Sequence, residues 1–268
     1  VIYTCDRTAT EFEAGYTINK DGGGGSWTAT GVDAVHTDGF QLEGGDGYDN
    51  IVFRRLTIDR GGTEGLKFKR TGSQYSLTNL VVENCLIWNA GDCGIIMAGA
   101  HFSSISNNTI IAPNAAAEAI RMECGATRFG SKIDALTNNL INDLDIQGDW
   151  NEGERFNWIA LSASNIFEEE PQAGGPTHAY AMDASDQVIA SWSTAGLFED
   201  FAGEDFNLPA DSDAVDAADA AYAPDEDLDG NGRPSGAGDD IGAIEYQYPA
   251  APAQTRYLLL RAKVILRR

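Results

Sequence analysis

The sequence predicts an all-β fold: a right-handed parallel β-helix of about five or six coils with a C-terminal cap. Three observations predict it. A strand-like phrase recurs along the chain, two columns of residues stay in phase through the recurrences, and the composition changes abruptly near residue 205.

Five phrases carry the repeat: NIVFRRLTI ending at Ile58, LVVENCLIW through Ile87, SSISNNTII through Ile110, IDALTNNLI ending at Ile141 and IALSASNIF ending at Phe167. Their last apolar positions form the column Ile58, Ile87, Ile110, Ile141, Phe167, at spacings of 29, 23, 31 and 26 residues. Two positions earlier runs a second column, Leu56, Cys85, Asn108, Asn139, Asn165. Within each phrase apolar and polar residues tend to alternate, the period of a half-buried strand.

A second set of short phrases, DGFQLEG, EGLKFKR, CGIIMAG and EAIRMEC, begins at Asp38, Glu64, Cys93 and Glu118. Alternation turns Phe40/Leu42, Leu66/Phe68, Ile95/Met97 and Ile120/Met122 inward. Gly39, Gly65 and Gly94, with Ala119 in the fourth phrase, place a small residue at the second position, which suits a tight corner between two sheets.

Two strand columns separated by irregular loops describe a solenoid coil. One coil cannot bury its apolar face alone, but coils stacked about 4.8 Å apart share a continuous core. Asn108, Asn139 and Asn165 then lie above one another, where side-chain amides bond as a ladder. The LxxLxL spacing of leucine-rich repeats is absent, and a β-sandwich is not expected to hold two columns in phase over five repeats.

At 268 residues with 43 % apolar composition, the chain is long enough for a real core. Its net charge is −23, from 41 acids and 18 bases. That argues against nucleic acid, whose phosphates need a basic patch. Five of the bases (Arg256, Arg261, Lys263, Arg267, Arg268) fall in the last 13 residues, which hold no acid. This tail either adds a strand to a sheet edge, on its own body or on a neighbouring subunit (which would make residues 256–268 a homo-oligomer contact), or is a frayed end or the remains of an anchoring segment. No stretch reaches the roughly 20 apolar residues that span a membrane. The first residue is Val and no signal peptide is visible, which reads as a mature or trimmed chain. Cys5, Cys85, Cys93 and Cys124 allow two disulfides in three connectivities, or buried thiols. The expected divisions are an N-terminal capping segment over 1–30, coils over 31–200, an acidic cap over 201–247, and a linker with its basic apolar tail over 248–268.

From Asp205 the chain reads DFNLPADSDAVDAAD, then DEDLDGNGRPSGAGDDIGAIEY ending at Tyr246. This resembles the C-terminal segment of bacterial secreted β-helix repeat proteins of the choice-of-anchor Q type, where DFxLxxxSPAIDAGD precedes DxDGxxRPxGxxxDIGAxEY. The chain departs from that pattern at Asp213 and Ala218, where the family has Pro and Gly. The resemblance implies the fold, a secreted or cell-surface address and an association with polysaccharides. It implies no catalytic residue.

Three groups of residues are candidates for chemistry. Asp225, Asp227 and Asp229 alternate ahead of Gly230, as in oxygen-rich Ca²⁺ loops. The position that would carry a bidentate Glu is Gly236, so the loop is either an incomplete calcium site or a turn whose carboxylates bond the local backbone. The outward positions of the second set of phrases are Gln41 and Glu43, Lys67 and Lys69, Ile96 and Ala98, and Arg121 and Glu123. Stacked, they make a stripe for a polysaccharide, with Gln41, Glu43, Lys69 and Glu123 as glycan-binding candidates. Polysaccharide lyases of this fold use Lys or Arg as general base, which makes Lys67 and Arg121 the catalytic candidates. They sit two coils apart, about 9.6 Å, and the plainer reading is a solvated face paired with acids. The third group is Asp38, Glu64 and Glu118, carboxylates near one corner that suit paired-acid hydrolysis. His36, His101 and His178 show no metal spacing, and the Gly22–Gly25 run is not placed between a strand and a helix as a phosphate loop is.

Two functions follow: a non-catalytic extracellular scaffold with a structural, adhesive or glycan-binding role, or a lyase acting on acidic polysaccharide. The small number of coils, which leaves little groove length, favours the first.

Overall fold

The computed structural model describes residues 10–13, 40–44, 48–59, 64–70, 77–88, 90–112, 117–123, 131–147, 159–173 and 182–248. Asp38, His36, His178, Cys5, Cys124, the Gly22–Gly25 run, the side chain of Glu43 and the basic tail lie outside the described residues.

Each recurrent phrase forms two strands, not one. In chain order they are β1 (Thr10–Glu13), β2 (Phe40–Gly44), β3 (Tyr48–Asp49), β4 (Ile51–Arg54), β5 (Thr57–Asp59), β6 (Glu64–Arg70), β7 (Leu77–Glu83) and β8 (Leu86–Trp88). There follow β9 (Cys93–Ala98), β10 (Ala100–Ser106), β11 (Thr109–Ile111), β12 (Glu118–Glu123), β13 (Lys132–Thr137), β14 (Leu140–Ile141) and β15 (Leu144–Gln147). The last are β16 (Ile159–Ala163), β17 (Ile166–Phe167), β18 (Gln172–Ala173) and β19 (Gln187–Val188), before a single helical turn α1 (Trp192–Ala195). All strand pairs are parallel, and they build three sheets. The first runs β1-β4-β7-β10-β13-β16 with β3 beside β7, the second β19-β17-β14-β11-β8-β5, and the third β18-β15-β12-β9-β6-β2. The chain is therefore an all-β parallel solenoid with minimal helix.

The sequence reading expected two strand columns; three sheets arise because every phrase bends in its middle. Arg55, Asn84, Asn107, Asn138 and Ser164 each hold φ between 50° and 58°, the left-handed region. Asn tolerates that region better than most residues because its short polar side chain bonds locally. The bend separates the first sheet from the second at the same place in every repeat.

The residue after each bend points inward, and there the expected ladder forms. Asn108 Nδ2 donates to Asn139 Oδ1 at 3.0 Å, Asn139 Nδ2 to Asn165 Oδ1 at 3.0 Å, and Asn165 Nδ2 to Asp186 Oδ1 at 2.9 Å. The side-chain oxygens of the three Asn residues accept main-chain N–H groups from one repeat earlier: Cys85 N to Asn108 Oδ1, Asn108 N to Asn139 Oδ1 and Asn139 N to Asn165 Oδ1. Cys85 ends the ladder as a buried free thiol, pushed up to about 12 by burial. Cys93 is also a buried free thiol.

The register holds the expected columns. Phe40, Leu66, Ile95 and Ile120 pair in succession, as do Leu42, Phe68, Met97 and Met122, and Ile58, Ile87, Ile110, Ile141 and Phe167. These side chains fill the interior, where Phe40, Phe53, Phe68 and Phe102 meet edge to face at 4.9–5.3 Å between centroids. Gly65 and Gly94 lie within strands, so their reason is space and not a corner. A Cβ on Gly94 would come within 2.6 Å of both Ala119 O and Ile110 Cγ2.

The second sheet is apolar on both faces. Leu86, Ile111, Leu140 and Ile166 point away from the interior and pack against Trp192, Leu197, Phe198, Phe206, Leu208, Ala214, Leu228, Ile241 and Ala243. The acidic C-terminal segment thus lies along the flank of the solenoid. The left-handed column holds it there. Arg55 Nε donates to Leu228 O, Asn84 Nδ2 to Glu226 O, and Asn107 Nδ2 to Asp240 O, while Asn138 exchanges two bonds with Asp219. Gly242, at φ 102°, donates to Asn138 O at 2.9 Å, and a Cβ there would meet Leu140 Cδ1 at 2.8 Å.

The family-like residues of this segment form one buried polar network. Arg233 donates to Glu245 Oε2 at 2.6 Å, Gly242 O at 2.8 Å and Asp240 O at 3.0 Å, with both partners of the ion pair almost fully buried. Glu245 also accepts the Ser235 and Asp240 N–H groups. Burial pushes Asp240 up to about 6, against the N–H bonds that it receives from Asp216 and Tyr246.

Two outcomes test this account. Asn139→Ala removes the amide bonds to the Ile105 and Thr137 carbonyls and leaves the buried Asn108 main-chain N–H without its acceptor. Urea denaturation should show a loss of at least ~3 kcal/mol, whereas the outward Ser103→Ala stays within ~0.5 kcal/mol. Arg233→Met strands Glu245 as a buried charge and should cost ~3–5 kcal/mol, with Arg233→Met/Glu245→Gln recovering part of it in the same assay.

Candidate functional site

The outward face of the third sheet carries the stripe that the sequence placed there. Its register runs Gln41, Lys67, Ile96, Arg121, Asp145 in one row and Glu43, Lys69, Ala98, Glu123 in the next. Lys67 and Arg121 are therefore two strands apart with Ile96 between them. Glu64 and Glu118 are likewise separated by Cys93, so these two carboxylates do not face each other across a single strand step.

A groove of about 250 Å³ opens on this face, lined by Glu64, Lys67, Phe68, Lys69, Asp92, Ile96, Ala98, Arg121 and Glu123. Its cause is in the strands. β9 presents Ile96 and Ala98 outward, while β6 and β12 on either side present Lys, Arg and Glu. Short apolar side chains between rows of long charged ones leave a trough. Ile96 and Ala98 were expected to point into solvent; they point outward but are only 7 % and 4 % exposed. The stems of long charged neighbours cover apolar surface in this way.

Two of the wall cations, Lys67 and Arg121, are paired with acids. Lys67 Nζ lies 3.3 Å from Glu64 Oε1, with the Lys67 side chain 13 % exposed and that of Glu64 4 %. Arg121 grips Asp92 with two parallel bonds of 3.0 Å and also donates to Glu118. Burial alone would lower the Arg121 pKa, but the bonds to Asp92 and Glu118 hold it above its ordinary value. Gln41 sits beside Lys67 in the row, outside the groove lining.

Asp92 was missed from the sequence because it precedes the CGIIMAG strand in a turn and breaks no pattern. Asp92, Cys93 and Glu118 bring three ligand atoms within 4.8 Å of one another, the one such group among the described residues. Arg121 already occupies both carboxylates. Burial drives the Cys93 thiol well above its ordinary value, with Arg121 opposing the shift. A thiol held protonated is a poor metal ligand.

The Asp225, Asp227 and Asp229 candidates are dispersed. Asp225 and Asp229 are exposed, whereas Asp227 is fully buried. Its carboxylate accepts N–H groups from Asp229, Asn231 and Glu245 and the Asn231 amide, at 2.8–3.1 Å. A Ca²⁺ ion there would have to displace these donors. The arrangement is that of an Asx turn built into the buried network.

On the first sheet, His101 Nε2 bonds Asp134 Oδ2 at 2.8 Å, and Lys132 pairs with the other oxygen of Asp134. These bonds outweigh the desolvation of Asp134 and hold its carboxyl below the usual range. Among the described residues, no helix is long and apolar enough to cross a membrane. No family model matches the chain, and no curated protein matches it.

Among the described residues, no cation offsets the charge of Asp143, a carboxylate near Glu118. Burial, then the charges of Glu169, Asp145 and Glu118, push Asp143 up to about 6. The folded chain therefore holds this proton more tightly than the unfolded one, and ionising Asp143 costs stability as pH rises from about 4 through 6. Asp143→Asn should raise the melting temperature at pH 7.5 by ~2–4 °C, about 1 kcal/mol once solvent screening is discounted. The gain should shrink steadily as pH falls towards 3.8, the ordinary carboxyl value; scanning calorimetry across that range checks the sign.

Proposed function

We propose that this chain is an extracellular right-handed parallel β-helix of the choice-of-anchor Q type, whose third sheet binds a glycan without cleaving it. The groove over Ile96 and Ala98 carries this reading. Most of its lining is charged, and Ile96 and Ala98 are only narrowly exposed between those side chains, so the groove offers many polar groups for orientation and a small apolar strip for contact. A sugar ring has the matching surfaces, C–H groups on its face and hydroxyls round its edge. The right hand is supported by the crossover rule, which parallel strand connections obey in about 98 % of cases. The motif from Asp205 to Tyr246 supports the family and the extracellular address.

Cleavage of an acidic polysaccharide by β-elimination fits this groove less well. A general base has to accept a proton, and efficiency requires a pKa near the working pH. Arg121 is held charged by Asp92 and Glu118, and Lys67 is paired with Glu64.

Retention on immobilised polysaccharides tests the reading. The chain should bind at least one member of a broad panel and release no unsaturated product detectable by absorbance. Ala98→Arg, which fills the floor, should weaken that binding at least tenfold while leaving the circular dichroism spectrum unchanged. Release of unsaturated ends would make the chain a lyase, and equal binding by Ala98→Arg would move the site elsewhere.

A further inference from the structure

We infer that the groove takes a neutral, hydroxyl-rich glycan and excludes uronate chains. This rests on the glycan-binding reading above and names its ligand class.

The stripe read from the sequence as a cationic rail is not one in the fold. Among the described residues, the lining holds three cations, Lys67, Lys69 and Arg121, and three carboxylates, Glu64, Asp92 and Glu123. Glu118 stands behind them on Arg121. The Arg121 fork is spent on Asp92 in the bidentate geometry that a ligand carboxylate would need. A uronate carboxylate only accepts hydrogen bonds. To gain Arg121 it must displace Asp92 and leave that carboxylate unpaired beside Glu118. It would also approach a chain of net charge −23, so the long-range field opposes it as well.

A sugar hydroxyl behaves differently because it both donates and accepts. It can donate to the outer edge of Asp92 or Glu123 while accepting from Lys67 or Lys69, and no ion pair need open. The floor adds a directional preference. Ile96 and Ala98 leave a narrow apolar strip between the charged side chains of β6 and β12, which suits a C–H group better than a charged substituent. Paired charges thus act here as a set of fixed hydrogen-bonding dipoles.

Isothermal titration with size-matched oligosaccharides tests the inference. One set is neutral (gluco-, manno-, galacto- and xylo-oligosaccharides) and the other uronic (oligogalacturonate and oligomannuronate). At least one neutral ligand should bind, with a Kd that changes less than twofold between 20 and about 300 mM NaCl, since screening leaves contacts without a net ligand charge largely untouched. The uronic set should bind at least tenfold more weakly than the best neutral ligand. Glu123→Lys, which tips the lining to four cations against two carboxylates, should gain uronate binding that weakens with salt. Tighter uronate than neutral binding by the unaltered chain, or no uronate gain in a folded Glu123→Lys protein, overturns the neutral assignment and leaves glycan binding standing. Silence with every ligand of both sets overturns the glycan reading and this inference together.

Discussion

A side-chain amide buried at the same corner of three successive repeats must find its partner one repeat away, and the rest of the solenoid is arranged around that requirement. Each Asn of the ladder uses its oxygen for the N–H groups of the repeat before it and its nitrogen for the amide of the repeat after it. A slip of one residue would leave these groups buried without partners, at about 1–3 kcal/mol each. The ladder therefore sets the register of the second sheet, and through it the columns of the other two. Its far end is sealed by Asp186, whose carboxylate accepts Asn165 N and Nδ2, Ser162 Oγ and Asp183 N.

The bend that turns the ladder inward has a second consequence. The residue just before each ladder position takes the left-handed conformation, and Asn84, Asn107 and Asn138 among them point out towards the flank and bind the main chain of the acidic segment. One corner thus serves both sides: its inner residue stacks the repeats and its outer residue binds the segment across them. The segment carries its own buried ion pair, Arg233 with Glu245, and shields the outer apolar face of the second sheet. An acidic chain can lie against an acidic solenoid because the contacts are mainly apolar side chains and main-chain bonds, with Arg55 pairing with Glu226 at one end.

Much of this was legible. The columns Phe40 to Ile120, Leu42 to Met122 and Ile58 to Phe167, and the ladder itself, follow from counting residues, because a strand's two-residue period is local. The third sheet's outward rows were also correct by position. Less was legible at the bend. An inward turn at Asn108, Asn139 and Asn165 was legible, but not that Asn107 and Asn138 before it take the left-handed conformation, although the repeated Asn-Asn pairs were the available signal. The Asp225, Asp227 and Asp229 run suggested calcium because alternation alone does not say which carboxylate turns inward. Asp227 turns inward because N–H groups brought by Asn231 and Glu245 meet it there.

The sequence by itself determined the all-β class, the period, the residues facing the interior and the positions of the charged stripe. These depend on strand geometry and on the order of residues along one phrase. Only the tertiary structure decided that the stripe is charge-matched and where the acidic segment lies. Pairing of Arg121 with Asp92 joins residues 29 apart, and Arg55 meets Leu228 across 173. Such contacts form only after stacking has brought separate repeats together, so no local pattern records them. The groove lies between these two levels: Ile96 and Ala98 are visible in the phrase CGIIMAG, but they become a floor only when longer side chains stand on both sides.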